Sequence, residues 1–161
     1  MGFASHLGPW LLGTVKNTTG TTAGTIRNMG AAVVTQSAQT TVSDTTATTL
    51  FVIPAGSQIN NFLVDITTAY AGTTGNTITI QSSGGTTLAT VGGATTTPLA
   101  VGRATTTLSG SNITTLLNVG STDMIVQVVY ACAGTASGGA ATITCSYTVK
   151  GSDGSANPSQ V

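Results

Sequence analysis

Two runs in the second half of the chain, MIVQVVYAC (124–132) and TITCSYTV (142–149), carry apolar side chains at alternate positions. Val126, Val128, Tyr130 and Cys132 share one side of the first, and Ile143, Cys145, Tyr147 and Val149 share one side of the second. A period of two belongs to a β-strand with one buried face, and a helix cannot present it. The same alternation runs through QINNFLVDITTAY (58–70), where Phe62, Val64 and Ile66 oppose Leu63, Asp65 and Thr67. NTITIQ (76–81) sets Ile78 and Ile80 on one side and threonines on the other. Shorter runs at 31–42, 48–53, 86–91, 98–101, 105–108 and 112–119 bring the total to nine or ten strands, separated by turn residues. Strands at this spacing predict an all-β, antiparallel β-sandwich of jelly-roll type.

Composition agrees. Threonine fills about a fifth of the 161 positions, glycine numbers 21, and glutamate is absent. Thr is stiff at its β-branched carbon and fits strands, while good helix formers are scarce. With 40% hydrophobic residues, mean hydropathy +0.32 and zero net charge, the chain lacks the signature of disorder. Only 5% of residues are charged, against about a quarter in an average globular chain. A surface so poor in charge is weakly protected against association, which suits a subunit of an assembly.

The pattern divides the chain into an extended N-terminal arm (1–30), a sandwich domain (31–150) and a polar tail (151–161). The arm concentrates its apolar residues at Phe3, Leu7, Trp10, Leu11 and Leu12, among glycines that let a backbone follow a foreign surface. Residues of these types anchor interfaces. The alternative is that the arm folds back over its own sandwich.

Little in the chain supports catalysis. His6, the one histidine, sits on the arm, and Asp44, Asp65, Asp123 and Asp153 share no motif. Asp65 reads as facing solvent or a neighbouring subunit, and Asp44 and Asp123 as turn residues. Two cysteines and a remote histidine do not make a zinc site, and no phosphate-binding loop is present, so no catalytic, metal or cofactor residues are expected. Lys16, Arg27, Arg103 and Lys150 are scattered singly, which argues against a nucleic-acid partner. No apolar run approaches a membrane span, and Gly8-Pro9 breaks the N-terminal apolar stretch with no Lys or Arg before it, unlike a signal peptide. A carbohydrate-binding sandwich would need exposed aromatic platforms, whereas Phe51, Phe62, Tyr70, Tyr130 and Tyr147 fall in strands or at their ends.

If Gly138-Gly139 forms a two-residue turn, the last two strands make a hairpin that sets Cys132 opposite Cys145 and Tyr130 opposite Tyr147. The two thiols would then be neighbours, either as packed free cysteines or as a disulfide.

LFVIPAGSQINNFLVDITTAYAGTTGNTITI (50–80) resembles a pattern in small structural proteins of tailed phages, in which a strand ends in I-P-A-G and the next runs into D-(I/V)-T-T-A. STDMIVQVVYACAGTASGGAATITCSYTV (121–149) is similar to the closing hairpin of those proteins, whose last strand usually contains a Tyr. GPWLLGTVKNTTGTT, in the arm, looks like the N-terminus of virion proteins from aquatic, often cyanobacterial, phages. The resemblance implies a capsid decoration (cement) protein, made in the host cytoplasm and carried on the virion surface. Its partner would be the major capsid protein, whose subunits it would clamp as a homo-oligomer, with a trimer as the preferred form. The related alternative is a trimeric fibre, head-spike or tail component. The long apolar arm departs from a typical member.

Overall fold

The computed structural model describes residues 33–71, 74–93 and 98–149. Nine strands are formed: β1 (Val33–Thr41), β2 (Thr48–Ile53), β3 (Gln58–Thr68), β4 (Thr74–Ser82), β5 (Thr87–Gly92), β6 (Gly102–Ala104), β7 (Thr107–Leu108), β8 (Met124–Ala133) and β9 (Ala140–Thr148). They build two antiparallel sheets, one ordered β1-β9-β3-β6 and the other β2-β8-β4-β5-β7. The chain changes sheet at every connection except β4 to β5 and β7 to β8. Setting β7 aside, this is the jelly-roll arrangement of two four-stranded sheets.

The alternation in the sequence is what the sandwich buries. Phe62, Val64, Ile66, Ile143, Cys145 and Tyr147 project inward from one sheet and meet Ile78, Ile80, Val126, Val128 and Tyr130 from the other. Each fully buried aliphatic or aromatic side chain contributes roughly 1.5–3 kcal/mol, so this shared layer is what makes the two sheets one body.

At the end of the sandwich holding the β1–β2 connection, the core carries a polar chain that links the sheets. The Tyr70 and Tyr130 rings pack with centroids 4.9 Å apart and planes tilted by 38°. Tyr70 Oη donates to the Thr40 carbonyl (3.3 Å), and Tyr130 Oη donates to Oδ1 of buried Asn76 (2.5 Å). The Thr40 hydroxyl donates to Asp44 Oδ2 (2.8 Å), and the Tyr130 amide donates to the Asp44 carbonyl (2.7 Å). Burial pushes both phenols up to about 12, so they remain hydrogen-bond donors at neutral pH.

Three expectations from the sequence are corrected. Residues 112–119, read as a strand, instead close a 3-10 turn (Gly110–Asn112) and form a short helix, α1 (Ile113–Leu117). This segment crosses the end of the sandwich, where no strand offers it a partner. It drops Leu116 into the core, while the Asn112 side-chain amide donates to the Thr87 carbonyl (2.7 Å) and the Ser109 hydroxyl (3.2 Å). Residues 98–101 make only a single bridge among the described residues, Leu99 to Tyr70, with the Tyr70 amide donating to the Leu99 carbonyl (3.0 Å), and do not form a strand.

The third correction concerns the closing pair of strands. β8 and β9 belong to opposite sheets, so Cys132 and Cys145 are not cross-strand partners. Cys145 faces Gln36 and Phe62 in its own sheet, and both thiols are free. Residues 134–139 cross between the sheets, and Ser137 bridges to Ala71 on the way. Gly139 makes that crossing possible. Its φ of +142° is closed to other residues, and a Cβ there would be driven into the ring of Tyr70.

Gly139→Ala should therefore destabilise the fold by at least about 2 kcal/mol, by adding backbone strain to a clash with a buried ring. Gly138→Ala, with φ +69° and open space around its Cβ, should cost about 1 kcal/mol. Urea denaturation of the two variants checks the difference; equal losses would contradict the close approach to Tyr70.

Candidate docking surface

Strand direction decides where the apolar surface lies. Val33 opens β1 and is the register partner of Thr148, at the close of β9, so the described chain enters and leaves the sandwich at one end. The 54–57 connection, the 83–86 turn and the 109–123 crossing with α1 lie at that same end. The crossing is tied down by Val119 N donating to the Ser57 carbonyl (2.9 Å) and Gly56 N donating to the Gly120 carbonyl (2.7 Å).

Most of the exposed large apolar side chains among the described residues gather toward this end. Val33 is 62% exposed on the outer face of the four-stranded sheet. Val52 and Ile125 are cross-strand partners near the start of β8, 49% and 40% exposed on the outer face of the five-stranded sheet. Ile113 and Leu117, one turn apart on α1, are exposed beside buried Leu116.

The sequence reading passed over these residues, although Val52 and Ile125 had a signal. LFVI and MIV are apolar at consecutive positions, which means a strand apolar on both faces. Ile113 and Leu117 had none, since the helix that exposes them was read as a strand. The arm residues Phe3, Leu7, Trp10, Leu11 and Leu12 lie outside the described residues, as do His6 and the tail 151–161.

The outer faces of the sheets are polar but almost uncharged. A cross-strand row on the five-stranded sheet runs Val129, Thr79, Thr90, Thr107, and a second pairs Gln127 with Gln81. On the other sheet Ser37 and Thr144 share a hydroxyl–hydroxyl bond (2.8 Å), and the Asn60 amide donates to the Thr148 hydroxyl (2.9 Å). Asp65 lies on this face and is paired by Arg103 in a two-pronged contact of 2.8 and 3.0 Å, which holds its carboxyl below the usual range. Exposed pairs of this kind add little stability.

The described carboxylates do not converge. Asp123 accepts the Ala55 amide (2.9 Å) at the apolar end, and Asp44 serves the opposite end. Partial burial pushes the Asp44 carboxyl up, but bonds from the Thr41 backbone and from the Thr40, Thr48 and Thr41 hydroxyls outweigh it and leave the group below its ordinary value. Among the described residues no three His, Cys, Asp or Glu side chains gather to hold a metal.

Near Asp44 an open cleft of about 480 Å³ is lined by Val42, Ser43, Thr45, Tyr130, Cys132 and Ala136, among others. Cys132 is half-buried there and donates to the Gly134 carbonyl (3.3 Å). Cys145 is fully buried, and burial pushes its thiol up to about 12. Phe51, Phe62, Tyr70, Tyr130 and Tyr147 are all buried, so none of them offers a stacking platform for a sugar ring. No family model matches the chain, and no curated protein matches it either.

Two measurements check this geometry. A maleimide should label the native protein once, at Cys132, with Cys145 reacting only on unfolding; an intramolecular disulfide formed under mild oxidation would contradict the separate sheets. Because the carboxyl of Asp44 is depressed in the folded state, its contribution to stability is complete above 3.8 and is lost as pH falls through the lower folded value. Asp44→Asn should lower the Tm at pH 7 by a few degrees and flatten the fall of Tm with acidification below about pH 4, which thermal melts across pH will read.

Proposed function

We propose that this protein is a structural component of a phage virion that attaches to the outer surface of the capsid and stabilises it by clamping major capsid subunits. The observation that carries this reading is the shared polarity of the molecule. Val33, Val52, Ile113, Leu117 and Ile125 are exposed toward the end at which β1 begins, and so where the segment that carries the apolar anchors is joined in sequence. An apolar end joined in sequence to an apolar segment suits contact with a large protein surface, and the uncharged sheet faces suit close packing among neighbours. The resemblance of residues 50–80 and 121–149 to tailed-phage structural proteins points the same way.

In this reading Phe3, Leu7, Trp10, Leu11 and Leu12 seat in capsid pockets, and the sandwich stands above them. Attachment is driven by apolar contact, so it should vary little with ionic strength.

Truncating one interface anchor costs about 2 kcal/mol or more, and multiple attachments to one shell amplify the loss. Deleting residues 1–15, or making Trp10→Ala with Leu11→Ala, should therefore weaken binding to undecorated capsids at least about 30-fold while leaving the melting transition in place. Unchanged binding would show that these residues are not the clamp. Loss of the transition would place them in the protein's own core. Label confined to one vertex or to the tail, instead of spread over the shell, would favour the spike, fibre or tail role.

A further inference from the structure

Sheet edges are templates for strand addition, and proteins that remain monomeric blunt them with short strands, bulges, prolines or lysines. Three of the four edges here are blunted. β6 has three residues and β7 has two. β2 is interrupted by a register shift between Thr49 and Phe51 and is followed by Pro54. β1 is different. It runs nine residues, VVTQSAQTT, in unbroken register against β9, with no charge, no proline and no bulge, and among the described residues no strand pairs with its other side.

The direction of its free groups follows from one bond. Val42 N donates to the Gly139 carbonyl (3.0 Å), which continues the β1–β9 register and fixes Val42 and Gly139 as a hydrogen-bonded pair. Even-numbered residues of β1 then turn their amides and carbonyls toward β9, and odd-numbered ones turn theirs outward. Thr41 agrees, since its amide is taken by Asp44 Oδ2 (2.7 Å) instead of by β9. That bond also closes the edge at one end. Val33, Thr35, Ser37 and Gln39 are left with outward backbone groups.

We propose that β1 is a pairing edge for a second copy of this chain, joining two four-stranded sheets across a twofold axis. Antiparallel pairing of β1 with itself sets Val33 opposite Gln39 of the second copy and Thr35 opposite its Ser37, with the axis passing at Gln36. In this register the four open residues of each copy satisfy one another through about eight backbone hydrogen bonds, and the capped Thr41 falls outside. The match is self-complementary, as a twofold contact requires, and it brings no like charges together. A twofold pair differs from the trimer that the resemblance implies, and it does not depend on attachment to a capsid.

The test is sedimentation of the full chain with hydrogen exchange. The wild type should be a dimer at micromolar concentration, with the amides of Thr35, Ser37 and Gln39 protected, and these should lose protection on dilution to monomer while those of Gln36 and Ala38 keep theirs. Thr35→Pro and Gln39→Pro each remove an outward donor and leave the ladder to β9 intact, so each should weaken dimerisation at least tenfold while the variant stays folded. If a variant fails to fold, the exchange pattern of the wild type still decides. A monomeric or trimeric wild type, a dimer in which those three amides exchange freely, or a dimer indifferent to both prolines overturns the proposal. So does a monomer whose proline variants lose only capsid binding, since the edge would then take a strand of another protein.

Discussion

The fold depends on a single constraint: two sheets with few charges must be held face to face by what lies between them. Most of that layer is non-directional apolar packing, which tolerates sliding. The tyrosine pair removes the freedom. Tyr70 from the β3–β4 connection and Tyr130 from β8 touch across the core, and each phenol is tied to a different part of the frame, Thr40 and Asn76. Gln36 does similar work along the open side, where its amide donates to Tyr147 Oη (2.6 Å) and reaches the Val52 carbonyl of the other sheet (3.3 Å). Buried polar groups are costly when unpaired, so each of these contacts also penalises any other alignment of the sheets.

Where side-chain direction was the question, the sequence was legible. Phe62, Val64 and Ile66 on β3 and Ile143, Cys145 and Tyr147 on β9 point inward as their alternation requires, because parity is a local property of an extended chain. Partnership is not local. β8 and β9 have the alternation of hairpin strands and a Gly-Gly pair between them, yet the same glycines serve a crossover equally well. The choice is made by distant neighbours, with β4 claiming β8 and β1 and β3 claiming β9. NITTLLNV failed for a related reason. Its β-branched residues favour a strand, but the place it occupies offers no ladder, and burial of Leu116 decides the outcome.

The candidate surface was legible in the same uneven way. The apolar arm residues stand out in the sequence by type alone. The exposed sandwich residues come from β1, β2, β8 and α1, and nothing along the chain shows that Val33 on one outer face and Ile125 on the other lie toward one end. Consecutive apolar residues in LFVI and MIV mark strands that are apolar outward as well as inward, and that is the one local trace of the surface.

Val33 and Thr148 stand side by side, and this has a mechanical consequence. A force applied between Val33 and Thr148 would open β1 from β9 one pair at a time, as a zipper opens, and little work resists that. A force that enters through Val33 alone and is opposed at the far end of the sandwich loads the same nine pairs together, in shear. The sandwich is therefore weak when pulled at Val33 and Thr148 together and strong when pulled at Val33 against its far end.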